Sequence, residues 1–262
     1  MTRKTFTKKQ QGQAIAFSAS PLSQVDTRLW ESVFGDSQED IEKALTSFSS
    51  SGVCVSMKCN GVTLAQFVGI EASLSDKRGI YVYALCTAPD ARGRGYMKEL
   101  LDLASEHFCE CGYEFLFLLP ANETLACTYK RLGFSIAVPA YATPSPVCEE
   151  DFFGVGDDKL FGYAYRDFDG DTKNLYEMSS RVFSYDVFAY CLSLLPKGAE
   201  IKYFTDTDGG NGFAVRVGER IFLSSCAHSH LLKSNGACDA LFKTLGRGKL
   251  TLADINAEPM PR

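Results

Sequence analysis

Apolar and polar positions along this chain repeat with two different periods. Leu22, Val25, Leu29 and Val33 recur at helical spacing, as do Ile41, Ala44, Leu45 and Phe48. Two amphipathic helices are therefore expected between residues 22 and 48. Ser37, with Asp40 three residues later, reads as a capping box opening the second. Two apolar runs, residues 53–58 and 62–70, then flank Asn60-Gly61, the strongest short-range hairpin signal. A third antiparallel strand is expected over residues 80–86. After it a helix beginning near Met97 places Met97, Leu100, Leu101, Ala104 and Phe108 on one face and stops near Gly112. An apolar strand at 115–119 and a short helix closed by Gly133 complete this half.

The second half is less regular. Residues 141–158 hold Pro144, Pro146, an acidic run and several glycines, the composition of a long surface loop or linker. A strand is expected at 160–165, helices at 173–183 and 187–195, and a strand at 201–204. A hairpin at 213–217 and 221–225 turns through Gly218-Glu219. A helix near 237–245 and a strand at 250–253 end the pattern. Two helices followed by a hairpin repeat the early order of the first half, so this region is either a shortened second copy of that unit or an unrelated α+β extension.

Composition narrows the class. At 262 residues the chain has room for one large domain or two smaller ones, and 45% hydrophobic with 23% charged residues is ordinary for a globular protein. A net charge of -5 argues against generic nucleic-acid binding. Residues 1–13 are Lys/Thr/Gln-rich, lack an apolar core and read as a frayed, disordered tail, not a signal peptide. No stretch is long and apolar enough to span a bilayer. A cytoplasmic protein without membrane or nucleic-acid partners is expected, and a homo-oligomer is left open. The ten cysteines then read as reduced thiols, many in apolar segments. Cys109 and Cys111 lack zinc-knuckle spacing, Cys226, His228 and His230 form only a lone alternating cluster, and Asp206 with Asp208 lacks the rest of a calcium loop. No metal is expected.

The candidate chemistry lies at Arg92-Gly93-Arg94-Gly95, between the strand at 80–86 and the helix beginning near Met97. Glycines let the backbone approach a ligand closely, the first helical N–H groups have no intrahelical partner, and the arginines add charge-assisted donors. The turn is neither a P-loop nor the dinucleotide fingerprint. With Asn122, Tyr129, Gly133 and Phe134 downstream, it resembles the paired motifs of the GNAT superfamily of acyl-CoA-dependent N-acyltransferases. Arg92 and Gly95 match the pyrophosphate motif Q/R-x-x-G-x-G/A, with Met97 in place of the last small residue. Asn122, Tyr129, Gly133 and Phe134 match N-x-x-A-x-x-x-Y-x-x-x-G-F, with Leu125 where the family prefers Ala. The resemblance covers roughly residues 14–140.

It implies an α/β (α+β) fold with a mostly antiparallel mixed sheet, splayed central strands and flanking helices over 14–142. A linker at 143–159 and a smaller α+β region at 160–262 would follow. It implies acetyl-CoA as co-substrate, its pyrophosphate on the backbone of Arg92, Gly93, Arg94, Gly95, Tyr96 and Met97, and its pantetheine arm along Leu85, Cys86 and Thr87. A small-molecule or peptide amine would attack the thioester directly. Tyr129 would be the general acid toward the departing thiolate, against the alternative that it is simple core. Asn122 reads as a helix N-cap that could also reach the cofactor arm. Glu71 and Tyr83 are candidates for a general base by position alone. Cys86 beside the thioester site has no nearby His and reads as core. A non-catalytic acyl-CoA-binding module, or a scaffold using its second half for partner contacts, stands as the alternative function.

Overall fold

The computed structural model describes residues 4–10, 13–74, 77–138, 164–178, 184–195, 197–205, 211–217, 220–225 and 240–246. The chain divides into two compact units, one holding residues 1–118, 129–136 and 241–250, the other the remainder.

The first unit is built on a sheet of β1 (Lys4–Gln10), β2 (Gln13–Ser20), β3 (Gly52–Cys59), β4 (Val62–Leu74), β5 (Lys77–Thr87), β6 (Phe115–Leu118), β7 (Ile136–Val138) and β12 (Ala240–Thr244). Their spatial order is β1-β2-β3-β4-β5-β6-β12-β7. All pairings from β1 to β5 are antiparallel, whereas β5 and β6 run parallel. The β3–β4 hairpin turns where expected, with Asn60 at φ 50° and Gly61 at φ 82°, the paired positive values that a two-residue hairpin turn requires.

Helices cover both faces. On one lie α1 (Thr27–Phe34) and α2 (Gln38–Ser47), capped by side chains. Asp26 accepts the Leu29 N–H at 3.0 Å, and Ser37 accepts that of Asp40 at 3.1 Å. The expected single helix through Leu22 and Val33 is thus broken: Leu22–Gln24 is a 3-10 turn after Pro21, and the α-helix starts only beyond the Asp26 cap. The other face takes α3 (Tyr96–Glu110), which buries Leu100, Leu101, Ala104, His107 and Phe108. α4 (Glu123–Arg131) follows β6.

Two expectations are corrected here. Residues 4–10 are not a free tail. β1 pairs residue for residue with β2, from Lys4↔Ala19 to Gln10↔Gln13. An edge strand needs partners for its backbone more than an apolar face, so the polar composition hid it. Residues 237–245 are not helical where described. β12 runs antiparallel to β6, Leu241↔Leu118 through Thr244↔Phe115, and the Leu245 N–H donates to the Glu114 carbonyl at 2.8 Å. Leu241, Phe242 and Leu245 are buried. The spacing of Leu241 and Leu245 suits a helix, but pairing with β6 decides the outcome. The first sheet therefore draws on sequence from beyond residue 239, and the boundary expected at 142 does not close it.

The second unit contains a four-stranded antiparallel sheet, ordered β11-β10-β9-β8, from β8 (Ala164–Asp167), β9 (Glu200–Thr205), β10 (Asn211–Val217) and β11 (Arg220–Ser225). Two helices, α5 (Thr172–Met178) and α6 (Tyr185–Ser193), separate β8 from β9. Leu175, Tyr203, Phe213 and Val215 form its core, with Phe168, Phe188, Leu192 and Ile201 packed against them. The loop expected at 141–158 and the strand expected at 250–253 lie outside the described residues.

Candidate functional site

The site begins as a break in sheet regularity. β5 pairs with β6 only through Gly79↔Phe115, Ile80↔Leu116 and Tyr81↔Phe117. Against β4, Gln66 faces Cys86 but Val68 faces Tyr83, so β5 carries one extra residue there. Ala84 takes up that bulge at φ 50°, a left-handed conformation that costs an alanine energy. Past Tyr81 the two parallel strands are no longer paired, and Leu85, Cys86 and Thr87 follow the bulge. Nothing in the sequence announced it, because a bulge is usually sought at glycine.

The close approach at the paired end has its own cause. A Cβ on Gly79 would stand 2.1–2.4 Å from ring atoms of Phe115, so glycine lets β6 settle against β5 just before they part.

β5 leads toward the Arg92-Gly93-Arg94-Gly95 turn. After a 3-10 turn at Pro89–Ala91, Gly93 has φ 74° and Gly95, the N-cap of α3, has φ 82°. Among the described residues, apart from the adjoining backbone, no atom lies within 4 Å of where either Cβ would be, which leaves room for a ligand at the N-terminus of α3. Arg92 lies back along the strand end, its Nε donating to the Thr87 carbonyl at 3.4 Å. Tyr96 and Met97 supply the first N–H groups of α3. Open space, glycine backbone and free amides suit the pyrophosphate of an acyl-CoA substrate.

Asn122 caps α4, accepting the Leu125 N–H at 2.9 Å through Oδ1. Tyr129 follows two turns later on that helix. It is buried and meets Phe134 edge-to-face at 6.0 Å. Burial pushes its phenol up to about 12, so it carries its proton throughout the neutral range. Gly133 ends the helix at φ 92°.

The remaining candidates lie on different faces of the sheet. Tyr83 sits on the helix α1/α2 face, edge-on to Trp30 at 5.5 Å and Phe48 at 5.4 Å. Glu71 pairs with Ile80, and its neighbour in register, Gly69, faces Ile80 and the Phe108 ring of α3. Glu71 therefore lies on the opposite face, where its carboxylate accepts the Tyr113 hydroxyl and pairs with Arg78 at 3.5 Å. Cys86 is buried, and desolvation raises its thiol to about 12, which leaves no thiolate for nucleophilic attack at neutral pH. Among the described residues no helix is long and apolar enough to cross a membrane.

Comparison with known proteins agrees with this geometry. Residues 21–134 match the model of the acetyltransferase (GNAT) family. A conserved Enterococcus faecalis V583 protein of unknown function shares the fold at TM-score 0.53 and 9% identity, over 83% of this chain and 56% of that one. A GCN5-related N-acetyltransferase from Kribbella flavida shares it at TM-score 0.52 and 15% identity, over 90% of this chain and 66% of that one. The chain thus spans between about half and two thirds of the length of these solved structures. No curated protein matches its sequence.

Proposed function

We propose, from the match of residues 21–134 to the GNAT family, that this protein transfers an acetyl group from acetyl-CoA to a primary amine by direct attack in a ternary complex. One observation carries the reading: a bulged, half-unpaired β5 leads toward an open glycine turn at a helix N-terminus. The bulge and the parting from β6 release backbone groups at Leu85–Thr87 to pair with the amides of a pantetheine arm, as an added strand would. The amides from Gly93 to Met97 receive the pyrophosphate, assisted by Arg92 and Arg94.

The chain's part in the chemistry is placement and one proton. The amine nitrogen bonds to the thioester carbon, the carbon–sulfur bond breaks, and the amine's surplus proton leaves to water. Tyr129 donates its phenolic proton to the departing sulfur and regains one from water; burial keeps the hydroxyl protonated before that step. We assign no base. Glu71 is engaged by Tyr113 and Arg78 on the α3 face, and Tyr83 is packed between Trp30 and Phe48.

Tyr129→Phe tests the assignment, since it keeps the ring against Phe134 and removes only the hydroxyl. Turnover should fall by roughly 10²-fold at neutral pH, with kcat changed more than KM and CoA affinity retained. Unchanged turnover, measured where chemistry limits the rate, returns Tyr129 to the core. A protein that binds CoA but acetylates nothing in a broad panel of primary amines is instead a binding module.

A further inference from the structure

Four polar residues on successive strands form a row across the helix α1/α2 face: Ser18↔Ser56, Ser56↔Gln66 and Gln66↔Cys86 are direct register partners. Ser56, Gln66 and Cys86 are all buried, and the Ser18 and Ser56 hydroxyls meet at 3.1 Å. Buried polar groups are retained where they have partners, so each should be asked what it holds. Gln66 holds α1. Its Oε1 accepts the Asp26 N–H at 2.9 Å, and its Nε2 donates to the Asp26 carbonyl at 2.8 Å. Both bonds close on the main chain of one residue, 40 positions away in sequence, and that residue is the N-cap of α1.

The ring of bonds fixes more than a helix end. Gln66 is the last β4 residue in register with β5 before the bulge, opposite Cys86. One turn into α1, Trp30 packs on Tyr83, on the other side of the same bulge. Helix α1 is thereby pinned to the sheet on both sides of Ala84: by Asp26 to Gln66, and by Trp30 to Tyr83.

We propose that Gln66 is a positioning residue, fixing the height of α1 over β4 and β5 and so holding Trp30 against Tyr83 of the strand that receives acyl-CoA. Its consequence for catalysis rests on the acyl-CoA reading of β5; the positioning itself does not. An amide is required at this site because it must donate and accept at once, to the carbonyl and N–H of a single residue. A carboxylate loses the donor and opposes the Asp26 carbonyl with negative charge, whereas a neutral carboxyl group restores both bonds.

The test uses Trp30, the only tryptophan in the chain and buried. Acrylamide quenching of its fluorescence is measured in the parent, Gln66→Met and Gln66→Glu, at about pH 5 and about pH 9, limits chosen to bracket a buried carboxyl. Cys86 of β5 lies directly opposite position 66 and Asp26 caps it from α1; Cys54 and Lys58, two residues to either side of its other partner Ser56 on β3, are the next ionisable groups. Burial raises the Cys54 thiol to about 11 and the Cys86 thiol to about 12, so both stay protonated across this window. Asp26, common to all three proteins, is controlled by the parent and Gln66→Met.

Quenching should rise roughly twofold in Gln66→Met at both pH values, the expected result of opening a local contact. In Gln66→Glu it should match the parent at about pH 5 and Gln66→Met at about pH 9. A lower melting temperature with unchanged native-state quenching would overturn the proposal, since a merely structural residue behaves that way. So would a folded Gln66→Glu that responds to pH no more than the parent does. If Gln66→Met does not fold, the glutamate variant decides alone. CoA titration of the parent, run alongside, judges the acyl-CoA reading separately.

Discussion

Residues 13–87 run strand, two helices and a three-stranded meander, and residues 164–225 run the same way over a shorter course. In both, the first strand pairs antiparallel with the strand after the helices, giving the orders β2-β3-β4-β5 and β8-β9-β10-β11. In both, the helices bury apolar residues beside the meander. The difference lies in what the last strand does. β5 has 11 residues and pairs with a 13-residue β4, long enough to carry a bulge and still hold register on both sides of it. β11 has 6 residues opposite a 7-residue β10, in unbroken register. β5 then enters Arg92-Gly93-Arg94-Gly95 and a 15-residue helix, while residues 226–239, between β11 and β12, hold a single glycine, Gly236. The shared order is a platform. The bulge, the turn and the 15-residue helix are what residues 13–110 add to it among the described residues. This comparison supports reading residues 164–225 as a shortened repeat of residues 13–87.

The largest effect should come from cutting the chain between the copies. A fragment ending at residue 160 keeps every GNAT motif but loses β12. Leu241, Phe242 and Leu245 are buried in the first unit, and Phe242 stacks on Phe117 at 5.1 Å. At roughly 1.5–3 kcal/mol per buried apolar side chain, their loss removes on the order of 5 kcal/mol. That rivals the whole stability of a typical domain, about 5–15 kcal/mol. The fragment should show no cooperative thermal transition and no CoA binding, and adding residues 240–246 through a short linker should restore both. A fragment that melts cooperatively and binds CoA would show that the first copy is complete without that strand.

Next in size is Gly95→Asp. An L-residue at φ 82° is strained, and its carboxylate would occupy the helix N-terminus that the pyrophosphate needs. CoA affinity should fall by roughly 10²-fold or more, about 2.7 kcal/mol. Calorimetry on the parent should give one CoA per chain, and on this variant no residual tight site. A second site, or one surviving the substitution, would give the second copy a function that its sequence does not suggest.

Much of the first copy was legible because its signals are local. Ser37 with Asp40, Asn60-Gly61, Gly95, Asn122 and Gly133 each state a backbone conformation in one or two residues. What escaped was set by distant partners. β1 shows no apolar pattern because its register with β2 does the specifying, and β12 mimics a helix until β6 lies beside it. The Ala84 bulge exists only relative to β4, and the role of Gln66 only relative to Asp26. Glu71 shows the same limit, for spacing along β4 could not say which face of the sheet holds Tyr113 and Arg78.

Gly79→Ala probes the end where the first copy gains its extra strand. The added methyl would meet the Phe115 ring, itself fully buried and packed on Phe242 at 5.9 Å, so neither partner can yield freely. Overpacking of this kind costs about 1–3 kcal/mol. The melting temperature should drop by several degrees, on the order of 5 °C. Differential scanning calorimetry checks it; an unchanged transition would mean that β5 and β6 part earlier than Gly79.

The smallest effect should be confined to the second copy, and it tests whether the two copies are energetically separate. Tyr203 is a buried core residue whose hydroxyl donates to Asp169 Oδ1 at 3.1 Å and to the Asp171 carbonyl at 3.2 Å, tying β9 to the segment before α5. Tyr203→Phe keeps the ring against Phe168 and removes that donor. A typical hydrogen bond contributes about 0.5–1.5 kcal/mol net, and the exposed Asp169 carboxylate can take water in its place, so the lower end applies. Amide exchange in β9 and β10 should quicken by roughly two- to threefold, as such a loss in local opening energy implies. Trp30, in the first unit, serves as an internal control: its melting midpoint should stay fixed, as should CoA affinity. If either moves with Tyr203, the second copy is coupled to the proposed acyl-CoA site, and acceptor selection becomes the first place to look for its contribution.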